Sequence, residues 1–243
     1  MVVDLAFDAG STKIGGFTTQ DGTIDFYLRV KSLIKHDSIV LDLGAGRASW
    51  HEDDPSSTRK SIRLLKGHVK KLIAADIDDI VLVNMASDEQ VLIRSDGKLN
   101  IPPNSIDVIV ADYVLEHIED VENFYKQVNQ CLKKNGWFCA RTPHKFNYVA
   151  LFASIIRNKF HSKVLKYVQP SRKVQDVFPT RYKLNTLKDV SSVFAGWENK
   201  SFLYPSEPSY FFGKKPIYRL LLLIHYLLPL IFYGNIFVFV RKT

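Results

Sequence analysis

Two stretches of this 243-residue chain set an aspartate beside closely spaced glycines: FDAGSTKIGGF at 7–17 and IVLDLGAGRASW at 39–50. Glycines in such a turn let backbone N–H groups come close to a ligand, because no Cβ stands in the way. In the second stretch Asp42, Gly44, Ala45 and Gly46 close an apolar run, and Asp76 and Ile77 lie at the end of the next one. A dinucleotide fingerprint requires Gly-x-Gly-x-x-Gly and an acid about 20 residues on. Here Gly44 and Gly46 are followed by Ser49, and Asp76 lies 30 residues beyond Gly46. A ligand without a pyrophosphate fits this loop better. Two histidines, His117 in YVLEH and His144 in RTPHKF, have the right chemistry to take a proton near neutral pH. His51, Glu52, Asp53 and Asp54 are consecutive and cannot easily converge on one ion, so no metal site is expected. Cys131 and Cys139 form no metal or disulfide pattern; they read as half-buried small hydrophobes and suit a reducing compartment.

The elements that must position these residues alternate. Residues 23–35 have the apolar spacing of a short amphipathic helix. Residues 38–44 read as a buried strand, 56–67 as a helix capped by serine and stopped by Gly67, and 69–78 as a second strand ending in acids. Residues 90–97 read as a third strand, 105–117 as a fourth that turns into helix, 121–136 as an amphipathic helix, and 137–142 as a fifth strand stopped by Pro143. This alternation implies an α/β, Rossmann-like, doubly wound and mostly parallel seven-stranded sheet, with ligands at the carboxyl ends of the strands. Residues 144–190 interrupt it and are the expected helical substrate lobe, inserted after strand five. Residues 1–22 form an N-terminal extension, and 23–243 the main domain. The first glycine stretch resembles the phosphate turn of the sugar-kinase and actin superfamily. That architecture needs a second lobe and a second phosphate loop, which no later segment provides.

Hydrophobic residues make up 46% of the chain, enough for a packed core, and the net charge is +8. The basic residues are scattered and no nucleic-acid motif accompanies them, so no specific nucleic acid is expected. An anionic substrate carrier or phospholipid surface suits the charge. No secretory signal opens the sequence, and the protein is expected in the cytoplasm, with peripheral membrane contact through 217–233. The run LLLLIHYLLPLIFYGNIFVFV at 220–240 has no formal charge. Pro229, Gly234 and Asn235 punctuate it, so 217–240 reads as an apolar helix plus a terminal strand rather than a membrane span.

VLDLGAG, LIAADID, SDGKLNIPPNSIDVIVADYVLEHIED and CLKKNGWFCARTP resemble, in order, the successive motifs of class I S-adenosylmethionine-dependent methyltransferases. The nearest group is the broad set of small-molecule and glycan methyltransferases with an LEH signature after strand four. The match runs over roughly residues 36–145, and Ala48 stands where many members have a third glycine. The resemblance implies S-adenosyl-L-methionine as cofactor and S-adenosyl-L-homocysteine as product. It implies that Asp42, Gly44, Ala45 and Gly46 engage the amino-acid end, and that Asp76 with Ile77 meets the ribose. Asp96 with Gly97 would meet the adenine, and Asp112 with Tyr113 would lie beside the sulfonium. The expected acceptor is a sugar, a lipid-linked glycan or another small molecule. His144 and His117 are the candidate bases, and Arg141, Tyr148, Asp176, Arg181, Tyr182 and Asn185 the candidate acceptor contacts. Two other readings stand beside this one: a non-catalytic scaffold that keeps the cofactor fold, and a nicotinamide-dependent oxidoreductase.

Overall fold

The computed structural model of the chain describes residues 17–18, 20–94, 97–148, 150, 179–208 and 214–243. The first glycine stretch (save Phe17), Asp96, Asp176 and most of the expected lobe lie outside them. Strands β1 (Ile39–Leu43), β2 (Lys71–Asp76), β3 (Glu89–Leu92), β4 (Ile106–Asp112) and β5 (Leu132–Pro143) run parallel in the order β3-β2-β1-β4-β5. The antiparallel strand β8 (Gly234–Arg241) pairs with β5. On its far side β8 carries two short segments, β6 (Glu198–Asn199) and β7 (Phe202–Pro205).

Eight strands thus stand where seven are expected, because the edge is interrupted at Lys200–Ser201. Lys200 N–H still donates to Phe239 O at 2.8 Å, but Phe239 N–H is satisfied by the Ser201 hydroxyl at 3.1 Å rather than by a backbone carbonyl. The register is the same on both sides of the gap, so one edge strand is divided in two by a local break in the ladder, without an inserted residue.

Successive residues of each strand feed opposite cores, as the period of two requires. Leu41, Leu43, Ile109, Phe138 and Val238 pack on one side with Val128 and Cys131 of helix α4 (Val121–Cys131) and with Val190 of α5 (Leu187–Val193). Val40, Val108, Val110, Cys139 and Phe237 pack on the other with Phe26, Tyr27 and Val30 of α1 (Gly22–Leu33). Ile62, just before the end of α3 (Ser57–Arg63), packs against this second core. A turn of helix, α2 (Trp50–Asp53), precedes α3. Asp21 caps α1 by accepting from Thr23 N–H and Ile24 N–H, both at 3.0 Å, so the helix begins within the expected extension.

Two local expectations are corrected. The helix expected to reach residue 136 ends at Cys131, and residues 132–136 belong to β5, where Leu132 pairs with Ile106. Asn135 takes φ +64, a conformation no helix continues through. Cys131 and Cys139 are fully buried, and burial raises both thiols, that of Cys131 to about 11.

Near the C-terminus, helix α6 (Lys215–Leu227), with proline in its first turn, leads through a short 3-10 turn (Leu230–Phe232) into β8. Among the described residues no helix is long and apolar enough to cross a membrane.

Candidate active site

The turn after β1 is built around two glycines with different duties. Gly44 has φ +72, and its N–H donates to Ala75 O at 2.7 Å. A Cβ here would stand 2.4 Å from Val114 Cγ2, so this glycine lets the turn pack down on the segment after β4. Gly46 has φ +49, and no atom lies within 4 Å of where its Cβ would point. That space belongs to the cleft. Ala48 takes φ +57 as a non-glycine residue, at a cost of about 1–2 kcal/mol. The turn therefore keeps its shape without the third glycine.

Two side chains clamp this turn. Asp76, 8% exposed at the tip of β2, accepts from Gly46 N–H at 2.8 Å through Oδ2 and from Asp78 N–H at 3.0 Å through Oδ1. Asn84 donates from Nδ2 to Gly46 O at 2.8 Å and accepts from Ala86 N–H at 2.9 Å. The sequence reading missed Asn84; it stands in the otherwise apolar run IVLVNMA, so no local pattern in the sequence marks it. Ile77, beside Asp76, is exposed on the cleft wall.

Beneath the turn lies a charge cluster. Arg141 makes a two-pronged pair with Asp112, Nε–Oδ1 at 2.7 Å and Nη2–Oδ2 at 2.8 Å, and also donates to Thr23 Oγ1 at 3.1 Å. Its guanidinium carbon lies 4.7 Å from the Tyr113 ring centre. Burial alone would raise the Asp112 carboxyl. The Arg141 and Arg63 charges, with hydrogen bonds from Arg141 and Tyr27, hold it below the usual carboxylate range instead. Asp42 differs: burial dominates, the charges of Asp112 and Asp76 add to it, Arg63 only partly offsets them, and its carboxyl is pushed up to about 7.

Arg63 spans cluster and cleft. Its Nη2 lies 3.4 Å from Asp112 Oδ2, and its guanidinium carbon 4.7 Å from the Trp50 ring centre. Its Nε is buried with no hydrogen-bond partner among the described residues. The sequence reading passed over Arg63 because it is embedded in the apolar run IRLL.

These parts enclose a cleft of about 730 Å³ at the carboxyl ends of β1, β2, β3 and β4, lined by residues 43–50, Arg63, 76–78, Gly97 and Tyr113 among others. Gly97 has φ +73, and a Cβ there would meet Asn123 Nδ2 at 2.7 Å. Tyr113, at φ +59, is 41% exposed and accepts at its hydroxyl from Asn235 Nδ2 at 3.0 Å. His117 also lines the cleft, with Nδ1 2.9 Å from Pro179 O. Among the described residues no group of three His, Cys, Asp or Glu side chains is arranged to hold a metal ion.

Other expected site residues are placed elsewhere. His144 is 6% exposed and does not line the cleft; its Nδ1 accepts from Phe146 N–H at 3.3 Å and the Ile231 backbone also engages the ring. Burial lowers its pKa. Arg141, 4% exposed, is committed to Asp112 instead of an acceptor. Asn185 is fully buried and donates from Nδ2 to Thr142 Oγ1 at 2.6 Å and Pro143 O at 2.9 Å, while Thr142 donates to Glu116 at 2.8 Å. It ties the chain at 185 to the end of β5. Arg181 N–H and Tyr182 N–H both donate to Glu116 O, at 2.6 and 3.1 Å, and the Arg181 side chain pairs with Glu119 at 3.1 Å near the surface. Tyr148 lies against His225, ring centres 5.6 Å apart.

A family profile described as "Methyltransferase domain" matches residues 20–170. No curated protein sequence matches the chain. Among solved structures, an S-adenosylmethionine-dependent methyltransferase from Mesorhizobium loti is similar at TM-score 0.52 and 14% identity, covering 92% of this chain and 100% of that one. The geranyl diphosphate C-methyltransferase of Streptomyces coelicolor A3(2), solved with Mg2+, geranyl diphosphate and S-adenosyl-L-homocysteine, gives 0.55 and 8%, covering 90% and 77%. A putative methyltransferase in complex with the Trm112 activator of Haloferax volcanii gives 0.55 and 12%, covering 92% and 91%. At these identities the likeness is one of fold.

Proposed function

Since the chain belongs to the methyltransferase-domain family, its profile spanning residues 20–170, we propose that it transfers a methyl group from S-adenosyl-L-methionine to a hydroxyl of a sugar, lipid-linked glycan or other small molecule. The observation that carries the cofactor reading is the pair Gly46–Asp76: open space at the second glycine, and a carboxylate at the tip of β2. The residues fit the cofactor. Each oxygen of Asp76 accepts one backbone N–H in the structure, and a carboxylate oxygen has room for a second donor, so ribose hydroxyls can be held without releasing the turn. Arg63 Nε is a buried donor on the cleft wall that a carboxylate would complete. Bound there, the cofactor supplies an electrophilic methyl on positively charged sulfur.

The chain's own part is alignment and proton removal. The contact between His117 Nδ1 and the Pro179 carbonyl requires a proton on Nδ1, which makes Nε2 the basic nitrogen of the neutral ring. His117 on the cleft wall is the base in this reading, and His144 is not. Tyr113, receiving a hydrogen bond from Asn235, can donate its own hydroxyl proton to an acceptor oxygen. The exposed faces of Tyr113 and the half-buried Trp50 suit stacking against a sugar ring.

Titration calorimetry with S-adenosyl-L-homocysteine on wild type and Asp76→Ala tests the cofactor site. Binding that is lost in the variant is expected; no binding by folded wild type sinks the activity. With an acceptor found by screening hydroxylated glycans, His117→Gln should lower kcat by about 10²-fold or more while leaving cofactor affinity unchanged. An unaltered kcat would remove His117 from the chemistry.

A further inference from the structure

A surface helix on a water-soluble domain normally turns its apolar stripe inward. Helix α6 does the reverse over much of its circumference. Its buried residues are Tyr218 and His225, one face at i and i+7. Leu220, Leu223 and Leu227, at i, i+3 and i+7, are 56%, 55% and 70% exposed, and Tyr226 is 86% exposed. Leu222 and Leu228 are each 39% exposed. The helix is held to the domain through its two buried residues. His225 stacks on Tyr233 with ring centres 4.3 Å apart and lies against Tyr148, so the outward leucines are held on a fixed base.

The charge around this stripe identifies what it meets. From residue 208 to 233 the chain has three cations, Lys214, Lys215 and Arg219, and no aspartate or glutamate. Lys214, just before the helix, and Arg219, beside Leu220 and Leu223, are both exposed. Leucines flanked by cations, with a tyrosine at their border, match the boundary between acyl chains and anionic headgroups. A second copy of the same surface would bring like charges together. We propose that α6 docks the protein peripherally on an anionic phospholipid surface, lying in the plane of the interface with Leu220, Leu223 and Leu227 inserted.

The docked element is coupled to the cleft. The turn after α6 leads directly into Gly234 and Asn235, and Asn235 donates to the Tyr113 hydroxyl on the cleft wall. Docking on α6 therefore sets the Tyr113 side of the cleft near the lipid surface, where an amphiphilic acceptor would reside. Membrane docking itself stands independently of the identity of the acceptor.

Co-sedimentation with phosphatidylcholine vesicles and with vesicles of equal parts phosphatidylcholine and phosphatidylglycerol tests the proposal without an activity assay. Wild type should sediment with the anionic vesicles, much less with the neutral ones, and less as salt is raised. Leu223→Glu with Leu227→Glu should lower partitioning by about tenfold or more at unchanged melting temperature and S-adenosyl-L-homocysteine affinity. If that variant does not fold, Lys214→Glu with Arg219→Glu should weaken binding to the anionic vesicles alone. Failure of wild type to bind either vesicle, or equal binding by the leucine variant, overturns the proposal. So does a dimer of wild type in solution, seen by sedimentation equilibrium, that Leu223→Glu dissociates.

Discussion

Asp42 and Asp112 end neighbouring strands, yet the same cluster of charges drives their carboxyls in opposite directions. Asp42, raised to about 7, keeps a proton in the folded state that the unfolded chain gives up near pH 4. Between those values the native state binds more protons than the unfolded one, so the Asp42 contribution to stability falls as pH rises through the window and is constant above it. Asp112, held low, contributes stability at neutral pH that is lost only as pH falls through its depressed folded value. Asp42→Asn cannot ionise. In thermal unfolding without ligand, its melting temperature should exceed that of wild type above about pH 7 and converge with it near about pH 4.5. A constant offset between the two curves would show that Asp42 is ionised throughout. The sequence showed that Asp42 ends a strand beside a glycine turn. It could not show Arg63, Asp112 and Asp76 around it, because those charges come from three other elements.

Strands β4 and β5 are locked at their carboxyl ends by side chains as well as by the ladder. Asp112 and Arg141 are opposite one another in register, 29 residues apart in sequence, and both are nearly buried. Arg141→Ala would leave the Asp112 carboxylate without its main partner, and a loss of about 3–5 kcal/mol in urea unfolding is expected. A loss under about 1 kcal/mol would mean that Arg63 and water replace it. Next to this pair, the Asn185–Thr142–Glu116 chain fastens the strand end to the segment leaving the cleft. The mostly parallel, doubly wound sheet was legible from the alternation of apolar runs and caps, whereas the order of its strands was not read from them. What failed was local. KKNG looked like a helix terminus because lysines and glycine commonly end helices, whereas Leu132 was already needed to pair with Ile106. Arg141 and His144 were read at the end of strand five and Asn185 in the lobe segment beyond it, but the side each one faces is decided by β8 and residues 179–185. Those contacts are remote in sequence, so no local pattern encodes them.

At the scale of the whole molecule, the cleft draws on loops after four strands, so a ligand bound there stabilises one continuous sheet. At a free S-adenosyl-L-homocysteine concentration about 100 times Kd, binding adds about 2.7 kcal/mol. For a domain of this size that corresponds to a rise in melting temperature of about 5–10 °C, measurable by differential scanning fluorimetry. An absent shift at saturating ligand would mean that the unfolding transition does not include the cleft. The strand that completes this sheet has a consequence for how the protein is made. β8, at residues 234–241, lies between β5 and an edge formed by residues 198–205, and seven of its eight residues are buried. While those residues are still inside the ribosome, β5 has an open edge and the cores on both faces of the sheet lack the residues of β8. The nascent chain thus presents a hydrophobic strand edge until the piece that closes the sheet emerges. Translation speed and chaperone access over this interval should therefore bear on the yield of folded protein.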